Sequence, residues 1–280
     1  SGGGGRGMRA VRQADEIAEA FARCASEAQS AFGDGSLYAE RLIESARHIE
    51  IQILGDRHGG LVHFGERECT VQRRNQKLIE IAPSPSLSPA LREGIAQAAL
   101  TLAKAANYDN LGTFEFLVDA RDGSANAYFA FIEANPRLQV EHTVTEEVFG
   151  VDLVQAQIRV AAGETLGAIG VDAPGAPRGY AIQSRVNLET MNAAGDALPS
   201  GGKVAAFDIP SGPGVRVDTF GYSGYRTGAA FDSLIAKLIV HSASPDYGAA
   251  VAKAVRALGE FLIAGVDTNI PFLQALLTEL

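Results

Sequence analysis

Between positions 133 and 141, five polar side chains recur at every second residue: Glu133, Asn135, Arg137, Gln139 and Glu141. That is the period of an extended chain, so in a strand-like conformation all five point to one side. Phe129 and Phe131 precede them at the same spacing, which predicts a single face running from apolar packing into polar chemistry. Pro136 cannot donate a ladder hydrogen bond, so the strand ends there and the later residues ride on an irregular continuation.

The segment 112–119 also reads as a strand, and Asp122-Gly123 in a short polar loop signals a hairpin. With the loop centred near Ser124, Glu115 lies opposite Glu133. Two carboxylates facing each other across a strand pair repel unless something cationic sits between them. An oxygen-only set of Glu115 and Glu133 with the Asn135 amide beside it suits Mg2+. A solvated polar hairpin face is the alternative, but it gives no reason for the polar row to continue beyond Asn135.

The 280 residues are 46% apolar, enough to bury a core as one large domain or two intimate subdomains. The net charge of −9 carries no block of like charges, which argues against nucleic acid and requires anions to be met by local positive charge. Cys24 and Cys69 lack metal spacing, and no run has the length and apolarity of a signal peptide or membrane span. A reduced, cytoplasmic protein without membrane contact is expected.

Taken in order, the glycines from Gly2 to Gly7 can wrap bare amides round a phosphate, with Arg6 and Arg9 adding charge; alone, such a run also fits a linker. Residues 15–32 predict a helix with Ile17, Phe21, Ala25, Ala28 and Phe32 packed on one side, stopped by Gly33. A strand is expected over 37–43 and another over 47–54, where Ile49, Ile51 and Ile53 form a core face and His48, Glu50 and Gln52 a polar one. Gln72, Arg73, Arg74 and Lys77 are a concentration of donors in an acidic chain, although each alone fits a solvated charge. Ser88-Pro89 caps a helix with Leu91, Ile95, Ala99 and Leu102 inward. Thr143 to Glu146 reads as a capping box for a helix with Val144, Val148, Val151, Val154 and Ile158 in the core and Gly150 as a break. Strands over 180–186 and 231–241, separated by Gly-, Pro- and Ser-rich sequence, imply an antiparallel cap. Helices over 246–262 and 267–280 close the chain.

The E-x-N-x-R-x-Q-V-E-H run, G-T-F-E-F before it and the opening glycines together resemble the biotin carboxylase component of biotin-dependent carboxylases, in the ATP-grasp superfamily. The resemblance covers nearly the whole chain. It implies an α+β ATP-grasp fold with a biotin carboxylase C-terminal cap, divided into part of a lid subdomain at 1–42, a core with the active site at 43–175, and the C-terminal domain at 176–280. It implies ATP, Mg2+ or Mn2+, bicarbonate, and biotin on a carrier protein, joined through carboxyphosphate. Under it Gly3, Gly4 and Gly5 cover phosphate; Glu40, Arg41 and Ile43 meet adenine; and His48 and Gln72 lie on the nucleotide side. Glu115, Glu133 and Asn135 hold metal, while Lys77, Arg137, Gln139 and the Val140 backbone hold bicarbonate. Glu141 is the general base, and Arg185, in R-x-N-x-E, stabilises the biotin enolate.

The same resemblance implies a biotin carboxyl carrier domain, a carboxyltransferase and a homo-oligomer as partners. Such enzymes carry a lysine on a strand before the glycine loop and a further subdomain before that. Because the chain opens at Ser1 without an initiator Met, the expectation is a fragment that binds ATP weakly and is inactive in isolation. Asn75 stands where many of these enzymes have His, and with 140–147 it leans toward an acyl-CoA acceptor. The competing readings are another ATP-grasp ligase, such as a carbamoyl phosphate synthetase, and an inactive piece that docks the carrier.

Overall fold

The computed structural model describes residues 8–122, 124, 126–192, 195–228 and 232–279. The glycines Gly3, Gly4 and Gly5, with Arg6, lie outside them. In chain order the elements are α1 (Ile17–Phe32), β1 (Ala46–Gly55), β2 (Leu61–Arg73), β3 (Gln76–Ala82), α2 (Pro89–Ala105), β4 (Asn110–Asp119), β5 (Phe129–Asn135), α3 (His142–Phe149), α4 (Leu153–Ala161) and α5 (Leu166–Ile169). They continue with β6 (Tyr180–Asn187), β7 (Glu189–Met191), β8 (Ala197–Pro199), β9 (Ala206–Asp208), β10 (Val215–Thr219), β11 (Leu234–Ser242), α6 (Tyr247–Gly259), β12 (Leu262–Ala264) and α7 (Ile270–Thr278).

Eight strands form one antiparallel sheet in the order β10-β11-β6-β3-β2-β1-β4-β5. The strands expected to form a C-terminal cap are therefore joined to the N-terminal ones by the pairing of β3 with β6. At one end, Ile49, Ile51 and Ile53 of β1 and Phe114, Phe116 and Val118 of β4 bury against Leu91, Ile95 and Ala99 of α2. At the other end, β3, β6 and β11 bury Ile81, Ile182 and Leu238 with Ala254 and Leu258 of α6 and Leu273 of α7. Helix α3 covers the remaining sheet face, with Val144 and Val148 on Ala181 and Ile239.

Several local expectations are overturned. Residues 34–43 form no strand. Helix α1 forms, but Ile17, Phe21 and Phe32 are exposed and only Cys24 is buried; amphipathic spacing shows which face wants cover, not that cover exists. Glu141, not Thr143, is the N-cap of α3, so there is no capping box: Thr143 Oγ1 turns to Gln183, and Glu146 accepts from the Leu153 amide and from Arg216. Gly150, at φ 66°, does break the helix. Beyond it the phase changes, so that Leu153, Ala156 and Val160 are buried while Val154 and Ile158 are exposed. In α2 the Ser88 cap forms, its Oγ accepting from Leu91 N, but Leu102 is 37% exposed and Ala103 is buried.

The most consequential correction lies in β5. The register passes from Glu115 opposite Glu133 to Phe116 opposite Phe131, so Ile132 is an extra residue in a β-bulge. An inserted residue breaks the two-residue parity of a strand. Phe129 and Phe131 therefore pack on Phe116, on the α2 side, whereas Glu133 joins Glu115 on the opposite side. The apolar and polar rows occupy two faces, not one.

The placement of α2 yields a stability test. Ile95→Ala is expected to cost about 2–5 kcal/mol and Leu102→Ala less than about 1 kcal/mol in denaturant unfolding. Equal costs would show that the helix packs in another phase.

Candidate active site

Four charged residues are successive partners across the sheet: Arg67 on β2, Glu50 on β1, Glu115 on β4 and Glu133 on β5. Three carboxylates in adjacent strands repel one another unless cations and donors interleave them. Arg67, 0% exposed, does so first, donating from Nε to Glu50 Oε1 at 2.5 Å. Its remaining nitrogens reach Gln52, Thr145, Thr113 and Gln139 at 2.7–3.4 Å. Lys77 does so second, with Nζ at 2.6 Å from Glu50 Oε2, 2.5 Å from Glu141 Oε1 and 3.8 Å from Glu115.

Glu115 is enclosed by donors. His48 Nε2 lies 2.5 Å from Oε2, and Asn135 Nδ2 and Gln139 Nε2 lie 2.7 and 2.8 Å from Oε1. Gln72 Nε2 faces His48 Nδ1 at 2.8 Å, so Nδ1 accepts and Nε2–H donates to Glu115. Asn135 Nδ2 also reaches Glu133 Oε1 at 3.1 Å, bridging the two carboxylates that the hairpin register predicts.

Glu141 is held by two different cations. Lys77 takes Oε1, and Arg185 Nη2 takes Oε2 at 3.0 Å. Arg185 sits on β6 and rests against the fully buried Glu80 of β3. Its register neighbour on β11, Lys237, donates to the Val140 carbonyl at 2.9 Å. Lys237 also pairs with Asp218, which binds Arg216 in a surface concavity with Glu146, Glu147, Arg178 and His241. That concavity is separate from the carboxylate row.

The electrostatics follow the contacts. Burial alone would raise Glu115, but the His48 hydrogen bond, the Lys77 charge and Gln139 hold it down at about 2. Glu50 is lowered because Arg67 and Lys77 outweigh burial. Burial opposes the charge of Lys77, yet the surrounding carboxylates raise it above its ordinary value. Burial keeps the Cys69 thiol neutral, far above its usual pKa.

Of the residues singled out from sequence, the structure thus gathers His48, Gln72, Lys77, Glu115, Glu133, Asn135, Gln139, Val140, Glu141 and Arg185. It does not gather Arg137, which is exposed and donates to the Leu138 carbonyl. The donor concentration at 72–77 divides: Arg73 pairs with Glu189 and Arg74 with Asp196, leaving Gln72 and Lys77 at the site. Glu40 and Arg41 are exposed, Arg41 lies 4.5 Å over the Tyr128 ring, and Ile43 is buried. Arg9 is ion-paired with Glu27. Sequence reading passed over Glu50, Arg67, Glu80 and Lys237 as site residues. Their signal was weak: Glu50 alternates with isoleucines, Arg67 stands between Glu66 and Glu68, and Glu80 and Lys237 are single charges in apolar stretches, none distinguishable from a solvated position until α3 is known to cover that face.

The model for the carbamoyl-phosphate synthase L chain ATP-binding domain matches residues 1–169, and that for the biotin carboxylase C-terminal domain matches residues 183–280. The chain belongs to the biotin carboxylases of the ATP-grasp superfamily. It is 50% identical over 278 residues to a pyruvate carboxylase of Bacillus subtilis (strain 168), covering 98% of this chain and 23% of that protein. The biotin carboxylase of Campylobacter jejuni superposes with a TM-score of 0.91 at 41% identity, covering 99% of this chain and 59% of that one. The biotin carboxylase domain of Hydrogenobacter thermophilus 2-oxoglutarate carboxylase, solved with MgADP, ADP and bicarbonate, gives 0.88 at 42% identity, covering 99% and 59%. The chain thus spans less than two thirds of each of these relatives. The α+β architecture seen here is the biotin carboxylase ATP-grasp fold with its C-terminal domain.

In this site the depressed Glu115 makes stability depend on acid. A carboxylate lowered in the folded state contributes stability above its unfolded pKa near 4.5 and loses it as pH falls toward 2. Without divalent cations, the unsubstituted protein is expected to lose about 3 kcal/mol more than Glu115→Gln over that window. Parallel stability–pH curves would contradict the His48–Glu115–Lys77 arrangement.

Proposed function

We propose that the chain carries the site for ATP- and bicarbonate-dependent carboxylation of biotin on a carrier protein, the first half-reaction of a biotin-dependent carboxylase. The observation that supports this most is the double clasp on Glu141. One carboxylate stands between Lys77, assigned to bicarbonate, and Arg185, assigned to biotin. A group so placed can take the bicarbonate proton and lies beside both reacting partners. In the reaction a bicarbonate oxygen bonds to the γ-phosphorus as the bond to ADP breaks, giving carboxyphosphate. The carboxyl group then passes to biotin N1′ as its bond to phosphate breaks, and the N1′ proton leaves with the departing phosphate.

Glu115, Glu133 and Asn135 fit a hard divalent cation: the two carboxylates oppose each other across β4 and β5, Glu133 is open to solvent, and Asn135, whose Nδ2 here donates to both, would ligate through Oδ1 with its amide turned. Mg2+ held there would supply charge neutralisation for the transferring phosphate. Lys77 supplies a permanent positive charge for the bicarbonate anion, and Lys237 fixes the Val140 carbonyl and so the loop beside it. Gln139 shares that loop, but its side chain is engaged by Glu115 and Arg67. Arg137 is assigned to the same anion on the family pattern. On that pattern too, Gly3, Gly4, Gly5, Glu40, Arg41, Ile43, His48 and Gln72 serve the nucleotide. Arg185 stabilises the developing enolate oxygen of biotin.

The division at 42 and 175, the cytoplasmic setting, and the carrier, carboxyltransferase and homo-oligomeric partners belong to the same reading. No helix among the described residues is long and apolar enough to cross a membrane. A carbamoyl phosphate synthetase-like reaction is disfavoured because Arg185 and Lys237 reach the site from the segment that matches the biotin carboxylase C-terminal domain. For the final acceptor, the lean toward acyl-CoA is not supported over the alternatives: similar proteins include carboxylases of pyruvate, of 2-oxoglutarate and of long-chain acyl-CoA alike. We infer that the acceptor is chosen by a carboxyltransferase and not by this site.

Arg185→Ala, in the protein that carries this chain, separates the two halves of the chemistry. Biotin carboxylation is expected to fall about 100-fold, while bicarbonate-dependent ATP cleavage without biotin stays within about threefold. Equal losses in phosphate-release assays with and without biotin would remove Arg185 from biotin and contradict this reading.

A further inference from the structure

Arg185 is assigned to biotin above, and the following inference rests on that assignment. Its long side chain must present a fork at one place, although a free arginine samples many rotamers. Glu80 supplies the constraint. Its Oε1 sits 2.5 Å from both Nε and Nη2 of Arg185. The other oxygen, Oε2, accepts from Gln183 Nε2 at 3.0 Å, and Gln183 Oε1 accepts in turn from Thr143 Oγ1 of α3 at 2.5 Å. Glu80, Gln183 and Thr143 are all fully buried. A chain of hydrogen bonds thus runs from the helix behind the sheet to the guanidinium and ends where Nη2 meets Glu141.

Neutralising Arg185 does not require Glu80, because Glu141 already faces the same guanidinium. Burying a second carboxylate has a cost: burial pushes Glu80 up to about 7 even against the pull of Arg185. What Glu80 adds is direction. Its grip reaches Nε, the nitrogen nearest the stem, where a contact sets the plane of the fork. Glu141 touches only Nη2, so that contact can be exchanged for a substrate oxygen while the grip on Nε remains.

We propose that Glu80 is a positioning residue for biotin carboxylation: it is the pivot that aims the Arg185 guanidinium at biotin, acting through reach and geometry and not through charge.

Three variants of the protein carrying this chain separate reach from charge, with free biotin as the substrate. Glu80→Asp keeps the charge but withdraws the carboxylate by one methylene; it is expected to lower kcat/KM for biotin about tenfold. Glu80→Gln keeps the reach and an acceptor oxygen, and the Thr143 hydroxyl can reverse its role if Gln183 turns; it is expected to stay within about threefold. Both are expected to cleave ATP with bicarbonate alone within about threefold of the unsubstituted rate. Adding Glu80→Asp to Arg185→Ala is expected to lower biotin carboxylation by less than about twofold further, because the pivot has nothing left to aim.

The inference is overturned by an unaffected Glu80→Asp, by a Glu80→Gln loss exceeding that of Glu80→Asp, by equal losses in both reactions, or by full additivity with Arg185→Ala. If the Asp variant does not fold, a Gln variant with a selective loss of biotin carboxylation overturns it, and one with normal biotin kinetics upholds it. An unsubstituted protein with no biotin-dependent turnover would refute the reading of the site itself, and this inference with it. Normal turnover combined with any of the overturning patterns refutes the pivot alone.

Discussion

The fully buried pair of Arg67 and Glu50 is the interaction on which the rest of the site depends. Glu50 on β1 stands next to Arg67 and begins a run of carboxylates that continues in register with Glu115 on β4 and Glu133 on β5. Without a permanent cation inside the sheet, such a row would repel itself or take up protons. An arginine suits the task because its charge persists when buried and its planar fork can meet several acceptors at once. Arg67 meets Glu50 with one nitrogen and neutral oxygens with the others. Because Arg67 takes one Glu50 oxygen, Lys77 needs to satisfy only the other, and it reaches Glu141 with the same ammonium.

The fold puts chemistry and packing on opposite sides of the same strands. Ile49, Ile51 and Ile53 of β1 build the core with α2, and the alternating His48, Glu50 and Gln52 meet Arg67, Glu115 and Gln72. Helix α3 and the loop before it close over the polar side, bringing Gln139 and Glu141 into it. The partners of Glu141 come from β3 and β6, distant in sequence but joined in one sheet. The carboxylate row and the C-terminal segment thus share one sheet.

The facing pair Glu115 and Glu133 was legible because a short hairpin loop fixes register and register fixes which side chains oppose. The bulge at Ile132 was not legible: one inserted residue changes the parity of a strand without altering its composition, and it put Phe131 and Glu133 on different faces. Glu50 and Arg67 escaped notice for a different reason. A polar strand residue usually marks a solvated face, whether it alternates like Glu50 or stands between two glutamates like Arg67, and only the tertiary placement of α3 turns that face into an interior. The stripe on α1 shows the converse, an apolar pattern without cover over Ile17 and Phe21. Glu141 stood in the two-residue polar row and Lys77 in the donor concentration, but their roles, and Arg185 altogether, entered through family resemblance, which records chemistry that periodicity alone cannot.

The most direct test of the central ion pair is a double-mutant cycle in denaturant unfolding with Arg67→Met and Glu50→Gln. Arg67→Met alone leaves a buried carboxylate with Lys77 as its sole cationic contact among the described residues and is expected to cost about 3 kcal/mol or more. With Glu50→Gln added, the account predicts a loss smaller than the sum of the two single losses by at least about 1.5 kcal/mol. Additive losses would contradict it, because the polar row would then stand without the pair on which the account says it depends.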